Sequence, residues 1–433
     1  MQLNVRVMAL AATVLFAATS LGAAQDAPLP FRTAIELALR NSATTGIAQA
    51  DLDRARATYS QTRDLFFPQI TLGSGLAFSY GFPLSLEGAA PALFNFNTQQ
   101  FLINAAQRQY MKAARTDVKA TETQNADRRN DVIMETALDY IQLNLLESAA
   151  SVQQEQLQFA AKFEEIVNQR VQAGLDAAVE LTRARLASAR TRAQIAETRA
   201  MADQLRLRLS QLTGIPQNTI RTSTESIPAL PDVAQDQDLA GQAAEKNPAV
   251  KVAAQAALAK SFRAKAEEKQ LYPAVDLVAQ YAVLARFNNY DQFFRKFQRH
   301  NVTVGVAIRF PFLNPTQKAT ARAAGADAAK AKKEAQNVKE QVSSETLRLQ
   351  RSVEQWIATR DVSKLEHQLA QADVEAMHEK IQAGGASLKD EQNARITEHA
   401  RYSAYLDSSF QLDKVQIQLL RQIGELESWA MGK

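Results

Sequence analysis

The run Val171-Gln172-Ala173-Gly174-Leu175-Asp176 interrupts a long helix-forming stretch, and Ile381-Gln382-Ala383-Gly384-Gly385-Ala386-Ser387 interrupts another one, shifted by 210 residues. Between Pro91 and Pro216 there is no proline, and Gly174 and Gly214 are the only glycines; beyond Pro315 proline is absent again. Both stretches are rich in Ala, Gln, Glu, Arg, Lys and Leu, residues that lose little on entering a helix. Each therefore reads as a helical hairpin whose reversal is supplied by glycine. Within the first, Ile133, Ala137, Ile141, Leu145, Ala149, Val152, Phe159, Phe163 and Ile166 step by three, four or seven, a coiled-coil-like seam. The segment from Ala105 to Gln172 predicts a rod roughly 100 Å long at 1.5 Å per residue. Segments Phe31 to Phe66 and Leu175 to Thr213 are each about half that length, so two of them stacked end to end cover one long helix.

The repeat extends upstream. Gly214 recurs as Gly424, and Phe67-Pro68-Gln69-Ile70, after a helical segment bearing Asn41, is matched by Tyr272-Pro273-Ala274-Val275 after one bearing Asn247-Pro248. Two copies of a helix, strand, strand, helix, helix unit fill the chain. The expected boundaries are residues 1–24 for a signal peptide and 25–216 for the first repeat, with strands near 69–80 and 92–101 and a hairpin near 104–213. A linker follows at 217–235, then the second repeat at 236–433, with strands near 274–284 and 301–311 and a hairpin near 318–429.

The strands alternate with period two. In the first, Ile70, Leu72, Leu76, Phe78 and Tyr80 oppose Thr71, Gly73, Gly75, Ala77 and Ser79; in the third, Val275, Leu277, Ala279, Tyr281 and Val283 oppose Asp276, Val278, Gln280 and Ala282. The fourth sets Val302, Val304, Val306, Ile308 and Phe310 against Thr303, Gly305, Ala307 and Arg309, while the second, near Ala92 to Gln100, alternates weakly. About ten residues suit a tilted membrane barrel strand, and Tyr80, Phe82, Phe94 and Phe96 suit an interfacial aromatic belt. Four strands leave open edges that lipid does not tolerate, so several chains must share one barrel.

The leading MQLNVRVMALAATVLFAATSLGAAQD carries Arg6, an apolar run and small residues ending at Ala24, the pattern of a cleaved secretory signal. Cysteine is absent, which excludes disulfides, thiolate metal sites, a cysteine nucleophile and a lipidated cysteine. Fifty Lys and Arg against 46 Asp and Glu leave a formal charge of +4 without a concentrated basic stripe, so no nucleic-acid partner is expected.

The signal, the duplicated unit, the two reversals and the closing Leu212-Thr213-Gly214-Ile215-Pro216 run together resemble the TolC family of outer membrane efflux proteins, over nearly the whole mature chain. The resemblance implies a mainly α fold with a membrane β-barrel, in which long coiled-coil helical hairpins form an α-barrel tunnel. Three chains give four strands each to a shared trimeric 12-stranded β-barrel. The implied function is an outer-membrane channel, the exit duct of a tripartite efflux or type I secretion system. It extends into the periplasm, passes substrates passively and is gated at the periplasmic helix tips. Implied partners are two further copies in a homotrimer, a periplasmic adaptor protein, an inner-membrane pump and outer-membrane lipid; no cofactor is implied.

In that family, acidic residues shortly after each reversal line the closed end. By position these are Glu180 and Asp390, each six residues past a reversal glycine; a second acidic position falls on Asn393 here, with Arg183 as its counterpart in the first repeat. Carboxylate rings at a neck attract cations, and Arg170 or Arg183 would pair with them between subunits. Alternatively, Glu180 and Asp390 are solvated residues favoured by the helix dipole. The tips themselves, Gln172, Ala173, Gly174, Gln382, Ala383 and Gly384, are the expected adaptor contacts. The loop ARFNNYDQFFRKFQRHN between the third and fourth strands fits an outer face at the lipid headgroups, or equally a loop packed over the barrel mouth.

Enzymatic chemistry finds no support. His300, His367, His378 and His399 show no ligand spacing and are expected to be solvated, Ser74 between Gly73 and Gly75 does not complete a nucleophile elbow, and no phosphate loop occurs. The rival reading is a secreted periplasmic coiled-coil structural or adaptor protein whose alternating segments form a soluble sheet.

Overall fold

The computed structural model describes residues 28–74, 92–232, 238–284 and 298–432. Helices α1 (Phe31–Asn41) and α2 (Ala43–Asp64) lead to strands β1 (Gln69–Gly73) and β2 (Ala92–Ile103), then to α3 (Ala105–Gln172) and α4 (Ala178–Thr213). The order repeats as α5 (Leu239–Lys246), α6 (Pro248–Lys269), β3 (Ala274–Leu284), β4 (His300–Arg309), α7 (Pro315–Gln382) and α8 (Leu388–Ile423), followed by α9 (Leu426–Met431). The long helices α3 and α7 both have 68 residues, and the return helices α4 and α8 both have 36. The signal segment, Leu76 to Tyr80 of the first strand reading, Phe82, and the loop after β3 as far as Phe297 lie outside the described residues. No described helix is long and apolar enough to cross a membrane.

The segment 31–66, read from sequence as one helix, is two. Ser42 takes an extended conformation between α1 and α2, where its Oγ accepts from the Thr44 amide at 3.2 Å and its carbonyl accepts from Thr45 Oγ1 at 2.7 Å. In the second repeat the same break falls at Asn247, extended because Pro248 follows it. The repeated asparagines have one role: Asn41 Nδ2 donates to the Thr213 carbonyl at 2.5 Å, and Asn247 Nδ2 donates to the Gln422 carbonyl at 3.1 Å. Each ties off carbonyls that the end of a return helix leaves without a partner. Just past those ends, Gly214 and Gly424 adopt φ of 78° and 79°.

The chain divides into two compact units. One comprises residues 1–47, 127–247 and 342–433, the other 48–126 and 248–341. The first is built on large side chains: Phe31, Ile35, Ile133, Tyr140, Leu349, Val353, Ile417, Leu419 and Leu426 are buried together. Tyr140 Oη sits at the hub, donating to the Leu29 carbonyl at 2.6 Å and accepting from the Ser223 amide at 2.8 Å. The predicted seam holds through Ile141; further along α3 the buried positions are Leu143, Asn144, Ala160 and Val167, while Ile166 is exposed. In the second unit the buried helix positions are mostly alanine, among them Ala48, Ala106, Ala113, Ala259, Ala266 and Ala321. Such small residues let helix backbones approach closely.

The four reversal and end glycines separate backbone strain from crowding. A Cβ on Gly174 meets nothing within 4 Å, whereas one on Gly214 comes to 3.1 Å from Asn41 Nδ2. With both φ values positive, Gly174→Ala is expected to cost about 1 kcal/mol from conformation alone. Gly214→Ala is expected to cost more, about 2 kcal/mol, because the Asn41 clasp also shifts. Thermal melting of both variants in detergent measures the difference; equal losses would contradict the role of Asn41.

Candidate functional site

The second unit carries a four-stranded antiparallel sheet in the order β1-β2-β3-β4. Its register separates an oily from a polar face, with Thr98 and Gln100 as polar residues on the first and Val278 and Phe101 as apolar residues on the second. Leu72, Phe96, Tyr281 and Val302 stand side by side on one face, and the next residues along, Thr71, Asn97, Gln280 and Thr303, stand side by side on the other. The oily face continues with Ile70, Phe94, Leu277, Val304, Val306 and Ile308, the polar face with Gln69, Asn95, Gln99 and Asn301. The oily residues of the edge strands, Ile70, Leu72, Val302, Val304, Val306 and Ile308, are 58–70% exposed. Water-facing Val and Ile in such a row are costly, and a hydrocarbon surround removes that cost. Among the described residues β1 and β4 each pair on one side only, so each leaves an unpaired ladder. β2 runs 12 residues, and its alternation is weak in sequence because Asn95, Asn97 and Gln99, rather than the usual strand formers, fill its polar side.

The hairpin tips belong to the first unit. At each, glycine takes the left-handed conformation, Gly174 at φ 73° and Gly384 at φ 76°. Gly174 donates to the Val171 carbonyl at 3.0 Å and Leu175 to Arg170 at 2.9 Å; Gly384 donates to Ile381 at 3.0 Å and Gly385 to Lys380 at 2.8 Å. This is the same Schellman closure twice. Gln172, Ala173, Gln382 and Ala383 are exposed around these glycines.

The tip carboxylates differ. Asp390 Oδ2 accepts from the Ser387 amide at 3.0 Å and from Ser387 Oγ at 2.7 Å, while the Asp390 amide donates back to Ser387 Oγ, a capping box at the start of α8. These hydrogen bonds, with Lys389 nearby, hold its carboxyl below the usual range. Glu180 instead lies between Arg183 Nη1 at 2.5 Å and Lys389 Nζ at 3.4 Å, so it links the start of α4 to the start of α8. Arg170 makes a bidentate pair with Asp176 at 2.8 and 3.0 Å across its own turn. Asn393 is exposed and lines the same groove as Glu180, Arg183 and Lys389. Sequence reasoning missed Lys389 and Asp176 as partners; each lies within a few residues of a tip, but only the fold shows which charges meet.

Two of the four histidines depart from expectation, while His300 and His378 are exposed. His367 Nε2 lies 2.9 Å from Glu398 Oε1 and its ring stacks on Tyr405, and His399 is mostly covered, its pKa lowered by burial. They are solvated in neither case. Among the described residues no cluster of His, Asp or Glu is suited to a metal ion.

Residues 34–215 match the family model described as outer membrane efflux protein. Over that span, which is less than half of the chain, the sequence is similar to this family. No curated protein sequence matches the chain. Solved structures extend the likeness of fold to about nine-tenths of the chain. The outer membrane protein VceC from Vibrio cholerae superimposes with a TM-score of 0.72 at 19% identity, covering 90% of this chain and 96% of that one. The CmeC outer membrane channel of Campylobacter jejuni gives 0.77 at 16% identity, covering 92% and 86%. The open-state MtrE outer membrane channel of Neisseria gonorrhoeae gives 0.73 at 16%, covering 92% and 90%. The chain therefore has the TolC-like fold of these outer membrane channels.

Proposed function

We propose that three copies of this chain close one 12-stranded barrel and act as the passive exit duct of a tripartite efflux or type I secretion system, receiving substrate from a periplasmic adaptor and an inner-membrane pump. The observation that carries this reading is the two-faced sheet with both edges unpaired: its oily side asks for lipid, its Asn, Gln and Thr side asks for water, and its edge strands ask for partners. The repeat organisation proposed from the sequence, 25–216 and 236–433 about a linker at 217–235, supplies two strands per repeat to that barrel. The tips Gln172, Ala173, Gly174, Gln382, Ala383 and Gly384 are the adaptor contacts. Glu180, Arg183, Asp390 and Asn393 form the constriction.

Cell fractionation followed by planar-bilayer recording tests the reading. Recovery in outer membranes and stepwise conductance are expected; recovery in soluble periplasm without conductance would return the chain to the coiled-coil structural or adaptor class. The pairings at the tips rank the gate residues. Glu180→Ala releases Arg183 and Lys389 together and is expected to raise single-channel conductance, whereas Asp390→Ala removes a helix cap and is expected to cost about 1 kcal/mol of local stability with the smaller change in current. Equal, null effects on current would remove both residues from the constriction.

A further inference from the structure

The strands are almost free of acidic and basic side chains: among their described residues the only ones are Asp276, His300 and Arg309. His300 stands on the oily face opposite Val283, its Nδ1 2.9 Å from Tyr281 Oη. Asp276 and Arg309 stand on the polar face, and both lie at the end where β2 runs out towards α3 and β4 towards α7. Arg309 Nη2 donates to Asp276 Oδ2 at 2.6 Å, and Gln99 Nε2 donates to the same oxygen at 3.2 Å. The two partners are unequally covered. The Asp276 side chain is 2% exposed and its Oδ1 is buried without a hydrogen-bond partner, while the Arg309 side chain is 61% exposed.

A buried carboxylate needs a countercharge, and the countercharge here remains in the open. The face therefore presents the open side of a fixed guanidinium, while the carboxylate paired with it is covered by the sheet's own side chains. The other polar side chains of this face among the described strand residues, including Asn95, Asn97, Gln99, Gln280 and Thr303, are neutral, so they orient water but set no sign of charge. Resting on the channel reading above, we propose that Arg309, positioned by Asp276, is the charge-selective residue of the barrel's inner wall. Three copies set a cationic collar at the helix end of the passage, which holds anionic solutes and repels cations. Each pair is neutral as a whole, so the collar acts at short range through the exposed guanidinium, and salt at 1 M, with a Debye length of about 3 Å, screens it further.

The test is the reversal potential in planar bilayers under a KCl gradient. At 10 mM KCl the parent is expected to pass chloride relative to potassium more readily than the doubly neutral Asp276→Asn/Arg309→Gln variant, by about twofold. Asp276→Asn/Arg309→Glu is expected to shift the ratio further towards potassium, and Arg309→Lys to keep the parental ratio. All differences are expected to shrink at 1 M. Pairing both substitutions avoids leaving Asp276 buried and unpaired, and the lysine variant keeps a charge at the site. Currents that persist with one ratio for all four proteins at 10 mM would overturn the collar and leave the channel standing; a parent that carries no current would overturn the channel itself.

Discussion

Truncating Phe31 to alanine is expected to destabilise the first unit by about 3–5 kcal/mol, the upper range for loss of a single core side chain. Phe31 is fully buried and meets two aromatic rings edge-on, Tyr140 at 5.4 Å and Trp429 at 5.5 Å between centroids. It joins three regions distant in sequence: the first helix, the long helix α3 and the terminal helix α9. Its amide donates to Ser226 Oγ at 3.0 Å, and the Tyr140 hydroxyl gathers Leu29 and Ser223 beside it, so a cavity there loosens the linker as well. Urea or thermal unfolding of detergent-solubilised protein measures the cost. A loss below about 1 kcal/mol would mean that the site collapses freely and that the aromatic cluster is not the clasp.

A second large effect follows from Asp413, whose carboxyl burial pushes up to about 6, with Arg360 only partly offsetting the penalty. Because the folded value lies above the ordinary one, folding is favoured while the group is protonated. Below about pH 4 both folded and unfolded chains hold the proton and there is no penalty. Between about pH 4 and 6 the unfolded chain releases it first, so stability falls, and above about pH 6 the penalty is constant. Two pK units correspond to about 2–3 kcal/mol, an upper bound. Asp413→Asn is therefore expected to stabilise the protein by about 2 kcal/mol at pH 7.5 and by little at pH 4. A variant no more stable than the parent at pH 7.5 would contradict the burial cost.

Much of this architecture is legible in the residues. Gly174 and Gly384 sit in polar helical sequence where only a reversal explains them, and the structure gives both the same closure. The β-branched runs of β3 and β4 alternate cleanly, so their faces can be assigned without coordinates. The break at Ser42 is harder to read, because serine both caps helices and occurs within them and no proline marks the site as Pro248 does in the second repeat. Asn41 and Asn247 stand out as a repeat, yet their task, holding the ends of α4 and α8, is a contact across more than 170 residues that no local pattern contains. The candidate gate is the least legible part. Glu180 and Asp390 occupy equivalent positions, but Ser387 turns one into a cap while Ala177 leaves the other free to meet Lys389. Likewise Asp276 and Arg309 are visible on the polar parity of their strands, but their pairing depends on the register of β3 with β4.

The most direct test of the account is whether β1 of one chain lies beside β4 of another. Within a chain these strands are three inter-strand spacings apart, about 14 Å, beyond the roughly 7 Å between Cα atoms that a disulfide spans. The protein has no cysteine of its own, so introduced thiols are the only ones present. Thr71→Cys combined in turn with Asn301→Cys, Thr303→Cys and Gly305→Cys samples the polar face of β4 two residues to either side of Thr303. After oxidation in outer membranes, one of these pairs is expected to link chains covalently up to three and no further. Chains that stay single with free thiols for every pair, and that leave the cell with the soluble periplasm, would contradict the shared barrel.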